Sequence, residues 1–200
     1  MSTITVKDLL STVHLGISGS AKWGQRIPTD KPGIYVISTS SNPLETETLY
    51  SEIPLCTSSI EAWLQRVSTL KLNANRPSPE ELTAELAKFW LSSENIIYIG
   101  KAGNSISTRI NQFYRTQLGD RKPHAGGSWI KTLSVLSNLT VFWAETNRPE
   151  TDERLILHHF ALRCSSNKAM PFGNLETYIL QSDKFKRIRK PHNVKNWKLP

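Results

Sequence analysis

The 200-residue chain lacks any apolar run near the roughly 18 residues needed to cross a bilayer, so no membrane-spanning helix is expected. Its first residues, MSTITVKDLL, lack the charged-then-apolar pattern of an export signal. It has only two cysteines, Cys56 and Cys164, far apart and in no CxxC or zinc spacing. That leaves no basis for a disulfide framework or a zinc site, and two reduced thiols in a cytoplasmic protein are expected. HExxH and GxSxG are absent too. The run GKAGNS fails as a P-loop, because Asn95 stands where the first glycine belongs and Ala102 where Ser or Thr should follow the lysine. His158 and His159 are adjacent, so on a helix they diverge by ~100° and cannot share a metal face.

What is present begins with a core. At 38% hydrophobic content, 200 residues suffice for one domain, or one domain with a large insertion. The net charge of +8 is unevenly spread. Residues 183–200 hold seven Lys and Arg against Asp183, whereas residues 36–95 hold eight acidic groups against four basic ones. Lys184, Lys186, Arg187, Arg189 and Lys190 form the densest part of that tail, a footprint suited to a polyanion such as DNA. The plainer reading is a solvated basic terminus.

Three strands are expected: PGIYVIS (32–38), NIIYIG (95–100) and NLTVFWAE (138–145), the last rich in β-branched and aromatic residues. Between the first two, SPEELTAELAKFWL has Ser78 as a cap, Pro79 in the first turn and Glu81 closing a capping box. SSIEAWLQRVSTL (58–70) is a weaker helix, and two more are expected over about 105–117 and 148–163. Strands alternating with helices indicate an α/β or α+β domain with a small sheet.

Helix geometry places the charges. At ~100° per residue, Ile156, Leu157, Phe160 and Cys164 fall within about 60° of Glu153, so a carboxylate sits inside an apolar stripe. Buried without a partner it would cost several kcal/mol, so it should find a cation, a metal or a pKa shift. Arg109 borders the stripe of Ile106, Ile110 and Phe113. A buried Glu153–Arg109 pair that fixes helix packing is the bland explanation.

GIY at 33–35, YIG at 98–100, Lys101 directly after it, Arg109 eleven positions after Tyr98, Glu153 in ERLI and Asn174 in MPFGN occur in one order. Together they resemble the GIY-YIG nuclease superfamily. PHAGGSWIKTL (123–133) is similar to the His-Gly-Gly segment of restriction-type members. The family usually separates its tyrosines by about ten residues, whereas 62 lie between Tyr35 and Tyr98 here. A long loop between strand ends costs only logarithmically in closure entropy, so strand pairing survives. The resemblance implies one domain over 1–182, with a three-stranded, mainly antiparallel sheet flanked by helices and a helical insertion at about 39–94.

It further implies a metal-dependent endonuclease acting on double-stranded DNA, with one Mg²⁺ held by Glu153. Arg109 would bind the phosphate. Tyr35, its pKa depressed by Lys101 and the metal, would be the general base. Tyr98 would orient water or phosphate, Asn174 would organise the site, and His124 would contact phosphate or be an ordinary loop residue. No separate DNA-binding domain is recognisable, which suits a type II restriction-like enzyme, with a homodimer or two successive nicks for double-strand cutting. The competing readings are a non-catalytic nucleic-acid-binding module of the same fold and a repair or mobile-element nuclease.

Overall fold

The computed structural model describes residues 3–47, 50–120, 122–124, 126–163, 171–174 and 181–182. Cys164 and the tail with Lys184, Lys186, Arg187, Arg189 and Lys190 lie outside them. Among the described residues no helix is long and apolar enough to cross a membrane.

Helix α1 (Val6–Ser11) starts behind Thr5, whose hydroxyl accepts the Asp8 N–H, and buries Val6, Leu9 and Leu10. Strands β1 (Gly19–Lys22) and β2 (Gly33–Ser38) follow. Helix α2 (Thr57–Arg66), strand β3 (Leu70–Lys71) and helix α3 (Pro79–Ala87) fill the stretch before strand β4 (Ile96–Ala102). Helix α4 (Ile106–Arg115), 3₁₀ turns at Ser128–Thr132 and Leu136–Asn138, strand β5 (Thr140–Glu145) and helix α5 (Pro149–Arg163) come next. A third 3₁₀ turn, Phe172–Asn174, and strand β6 (Gln181–Ser182) complete the order.

The α+β class stands, with one correction: the main sheet has four strands, not three. Its order is β1-β5-β2-β4, antiparallel throughout. β1 went unexpected because Gly-Ser-Ala-Lys contains no β-branched or aromatic residue. As an edge strand it need bury only one face, and its residues alternate half-buried and exposed. A second, two-stranded sheet pairs β3 with β6. The segment expected as a helical insertion thus contributes two helices and a strand.

Every residue of β2 is buried, because both sheet faces are covered. Ile34, Val36, Ile99, Phe142 and Ala144 pack beneath α1 and α5. Tyr35, Ile37, Tyr98 and Trp143 face the other way, into a cluster with Ile110 and Phe113 of α4, Ile60, Trp63 and Leu64 of α2, and Leu82 and Leu86 of α3. The inserted helices therefore complete the core over the tyrosine face. The α3 start follows its sequence signal: Ser78 N–H donates to Glu81 Oε2 at 2.8 Å, and the Ser78 hydroxyl accepts the Glu81 N–H at 3.2 Å. Such a cap contributes about 1 kcal/mol.

Gly33, first of the GIY triplet, shows why that position carries no side chain. A Cβ there would stand 2.2 Å from the Ala144 carbonyl oxygen and 2.6 Å from Ile106 Cδ1. The first neighbour is β5 backbone and cannot step aside. Gly33→Ala is expected to cost about 1–3 kcal/mol through overpacking. Gly16→Ala, with nothing within 4 Å of its Cβ, should stay within about 0.5 kcal/mol of the parent. Urea unfolding of the two variants checks this, and equal stabilities would contradict it.

Candidate active site

The register of β2 on β4 sets Tyr35 opposite Gly100 and Tyr98 opposite Ile37, so both phenols leave the sheet on the α4 face. Gly100 lies between them. A Cβ on it would come within 2.6 Å of the Tyr35 hydroxyl oxygen and 2.6 Å of Tyr98 Cε1. The two rings, with centroids 5.8 Å apart, occupy the space that this missing side chain leaves. Tyr98 is also roofed by backbone. A Cβ at Gly127, where φ is +68°, would meet its ring at 2.5 Å, and one at Gly173 would meet it at 2.7 Å.

His124 closes the arrangement. Its Nε2 lies 3.0 Å from the Tyr35 hydroxyl, its backbone N–H donates to Thr116 Oγ1 at 3.1 Å, and its ring stacks on Phe113 at 4.1 Å and 6°. Burial, with the charges of Arg109 and Lys131 nearby, pushes the imidazole down to about 3, so it is neutral at physiological pH. The tautomer sets the direction of the contact: protonated on Nδ1, the neutral ring accepts from the Tyr35 hydroxyl at Nε2, and protonated on Nε2 it donates to that hydroxyl.

Arg109 is half-buried on α4, its Nη1 3.4 Å from both Gln112 Oε1 and the Pro123 carbonyl. Glu153 is buried among Ile156, Leu157 and Phe160, as its stripe position requires. Its near cation is Lys101, with Nζ 3.2 Å from Glu153 Oε2 and 2.5 Å from Glu150 Oε1. Lys101 pairs with Ile34 in register, so it leaves β4 on the α5 face, one residue out of phase with the phenols. Burial pulls its ammonium downward, the two carboxylates outweigh that, and the net shift is upward.

The charges nonetheless form one neighbourhood. Burial pushes Tyr98 up to about 12, with Glu153 adding to that and Arg109 opposing it. Tyr35 is raised well above its ordinary value by burial first, then by Tyr98, with Arg109 pulling the other way and Glu153 adding slightly. This corrects the expectation of a depressed Tyr35. Its ring is 1% exposed, and Lys101 spends its charge on Glu150 and Glu153 on the other side of the sheet.

Asn174 works through backbone. Its Nδ2 donates to Ile99 O at 2.6 Å and its Oδ1 accepts the Ile99 N–H at 2.7 Å, which satisfies both outward polar groups of that residue on edge strand β4. The same clasp presses Gly173 onto Tyr98. Phe113, the platform under His124, and the glycines at 127 and 173 complete the cluster without having stood out as site residues in the sequence. Phe113 reads as an ordinary core residue of an amphipathic helix, so only the His-Gly-Gly string offered a signal. The candidate DNA contacts of the tail lie outside the described residues.

The chain matches no protein-family model, no curated protein and no solved structure.

A buried neutral histidine gives stability a pH signature. An unfolded imidazole takes a proton near pH 6.5, whereas the folded His124 waits until about 3. Between those values the unfolded chain binds the extra proton. Stability should therefore be fully present above 6.5 and fall as pH drops toward 3. Going from pH 8 to pH 5 should cost about 2 kcal/mol through this group alone. Urea titrations at both pH values should show that loss in the parent and not in His124→Gln; parallel losses in the two proteins would refute it.

Proposed function

We propose that the chain is a GIY-YIG-type endonuclease that hydrolyses phosphodiester bonds in double-stranded DNA, in the manner of type II restriction enzymes, with Mg²⁺ as its cofactor. The observation that carries the reading is the contact of Tyr35 with Tyr98 and His124, with Arg109 and Glu153 near enough for their charges to act on both phenols.

The carboxylate side suits a hard cation. Glu150 and Glu153 stand three apart on one helix, and between their oxygens a cation, the Lys101 ammonium, is already held. Among the described residues no group of three His, Cys, Asp or Glu could cage a metal. A single buried carboxylate completed by water and phosphate oxygens is, however, the usual protein share for Mg²⁺. When bound, the ion would supply Lewis acidity at the phosphate.

The remaining work falls to the chain. Arg109, donor-only and planar, can clamp two phosphate oxygens as their charge grows. Tyr35, too buried to ionise by itself, would take a proton from an attacking water only while passing its own to His124 Nε2 at 3.0 Å, leaving an imidazolium that the negative charge developing on the phosphate would have to offset. Tyr98, packed by three glycines, fixes where that water and the phosphate sit. Asn174 holds the edge of β4 in place. The basic tail would follow the DNA backbone, and a homodimer would bring a second such site to the other strand.

One observation favours the competing reading, a non-catalytic nucleic-acid-binding module. Tyr35 is 1% exposed and His124 fully buried, so the cluster also makes sense as packing. Incubation with supercoiled plasmid separates the two. With Mg²⁺ the parent should nick DNA, and Glu153→Gln and Arg109→Ala should each lose at least about 100-fold in rate while still shifting DNA in a gel. Binding by the parent without cleavage of any DNA or RNA offered would establish the module instead.

A further inference from the structure

The first two turns of α5 carry three carboxylates, and the fold uses them differently. Asp152 is fully buried and engaged near its own helix end: its Oδ2 accepts the Thr146 hydroxyl at 2.7 Å, and its Oδ1 lies 3.5 Å from Arg148 Nη2. Glu150 and Glu153 stand three residues apart, so their side chains leave the helix on one side. There they close on a single point. Lys101 Nζ lies 2.5 Å from Glu150 Oε1 and 3.2 Å from Glu153 Oε2, reaching that point from β4. Access is graded across the three side chains: Glu153 is 9% exposed, Lys101 25% and Glu150 83%. The place between them is closed at Glu153 and open to solvent at Glu150.

A carboxylate as buried as Glu153 is costly without a positive charge beside it. Whenever no metal ion is present, Lys101 supplies that charge. An ammonium and a divalent ion cannot share the place, because like charges that close repel strongly in a partly desolvated site. Entry of the ion therefore requires the ammonium to leave. A lysine has a flexible four-carbon stem, so this one can withdraw its head group toward solvent without disturbing β4. Glu150 is then left as a second carboxylate facing the vacated place.

We infer that Lys101 is the resting occupant of the proposed metal position: its ammonium holds Glu150 and Glu153 together in the metal-free protein, a divalent cation binds by displacing it, and Glu150 joins Glu153 as a protein ligand. The inference rests on the proposed Mg²⁺ site at Glu153 and adds the group that guards it. The apparent affinity for the ion falls with the fraction of molecules whose site is clear, so a lysine seated about nine-tenths of the time weakens binding about tenfold. A fixed packing bridge would have no such effect.

Titration of the DNA-free protein with Mn²⁺, read from the paramagnetic resonance signal of the free ion, tests this without any cleavage. Lys101→Met keeps a long unbranched side chain and removes the charge. It should bind Mn²⁺ about tenfold more tightly than the parent, and adding Glu150→Gln to it should reverse most of that gain. Lys31→Met, which frees Glu145 from an exposed pair, serves as the control and should change nothing. A second measurement needs no variant: acetylation of Lys101 in the parent, followed by mass spectrometry, should quicken severalfold as Mg²⁺ is added, while that of Lys31 stays constant. Equal Mn²⁺ affinities in the parent and Lys101→Met, or no binding by either, overturn the inference. Should Lys101→Met not fold, acetylation decides, and a Lys101 rate indifferent to Mg²⁺ overturns it. Plasmid nicking is judged separately. Tighter Mn²⁺ binding by Lys101→Met without nicking by the parent sinks the nuclease reading and keeps this inference; nicking with equal affinities does the reverse.

Discussion

Two phenol rings share the space over a single glycine, and the structure around the candidate site depends on that arrangement. β2 and β4 can pair with Tyr35 across from Gly100 only because position 100 carries no Cβ. Tyr98 then fills the rest of the gap, with glycines 127 and 173 closing over it. From this packing follow the position of the Tyr35 hydroxyl under His124, the stacking of His124 on Phe113, and the need for Asn174 to hold β4 by its open edge. The glycines of the two sequence triplets are thus explained by close approach: one to β5 backbone, the other to two aromatic rings.

Burial gives this cluster its chemistry and also constrains it. Desolvation raises both phenols and lowers His124, so all three are neutral in the resting protein. A proton passed from Tyr35 to His124 leaves a tyrosinate beside an imidazolium, and the two opposite charges offset each other as an isolated buried tyrosinate could not. The charged members, Lys101 with Glu150 and Glu153, are placed on the α5 side, where mutual pairing offsets their desolvation.

Much of this was legible in the sequence, and each success has a local cause. The strands at 33–38, 96–102 and 140–145 are runs of β-branched and aromatic residues buried on both faces. The start of α3 was written in Ser78, Pro79 and Glu81, and helical phase placed Glu153 inside its stripe and Arg109 beside its own. What escaped is what only tertiary context decides. β1 is a strand because β5 offers it an edge, and its four residues carry no strand signal. The cation beside Glu153 proved to be Lys101, because strand parity, invisible before the register is known, sends Lys101 to the α5 face. The direction of the Tyr35 shift failed for the same reason: the motif showed a lysine nearby in sequence, whereas the fold shows a ring sealed from solvent.

The account stands on these side chains acting on one phosphate and its ion, across a sheet that sends them out on two faces. Crystals grown with a non-hydrolysable oligonucleotide and Mn²⁺, an oxygen-preferring substitute with a strong anomalous signal, test that directly. The account predicts an anomalous peak against a Glu153 oxygen, with a backbone phosphate bridging from it to Arg109 and the Tyr35 hydroxyl. An oligonucleotide bound elsewhere, with Lys101 still seated between Glu150 and Glu153 and no peak beside them, would contradict it.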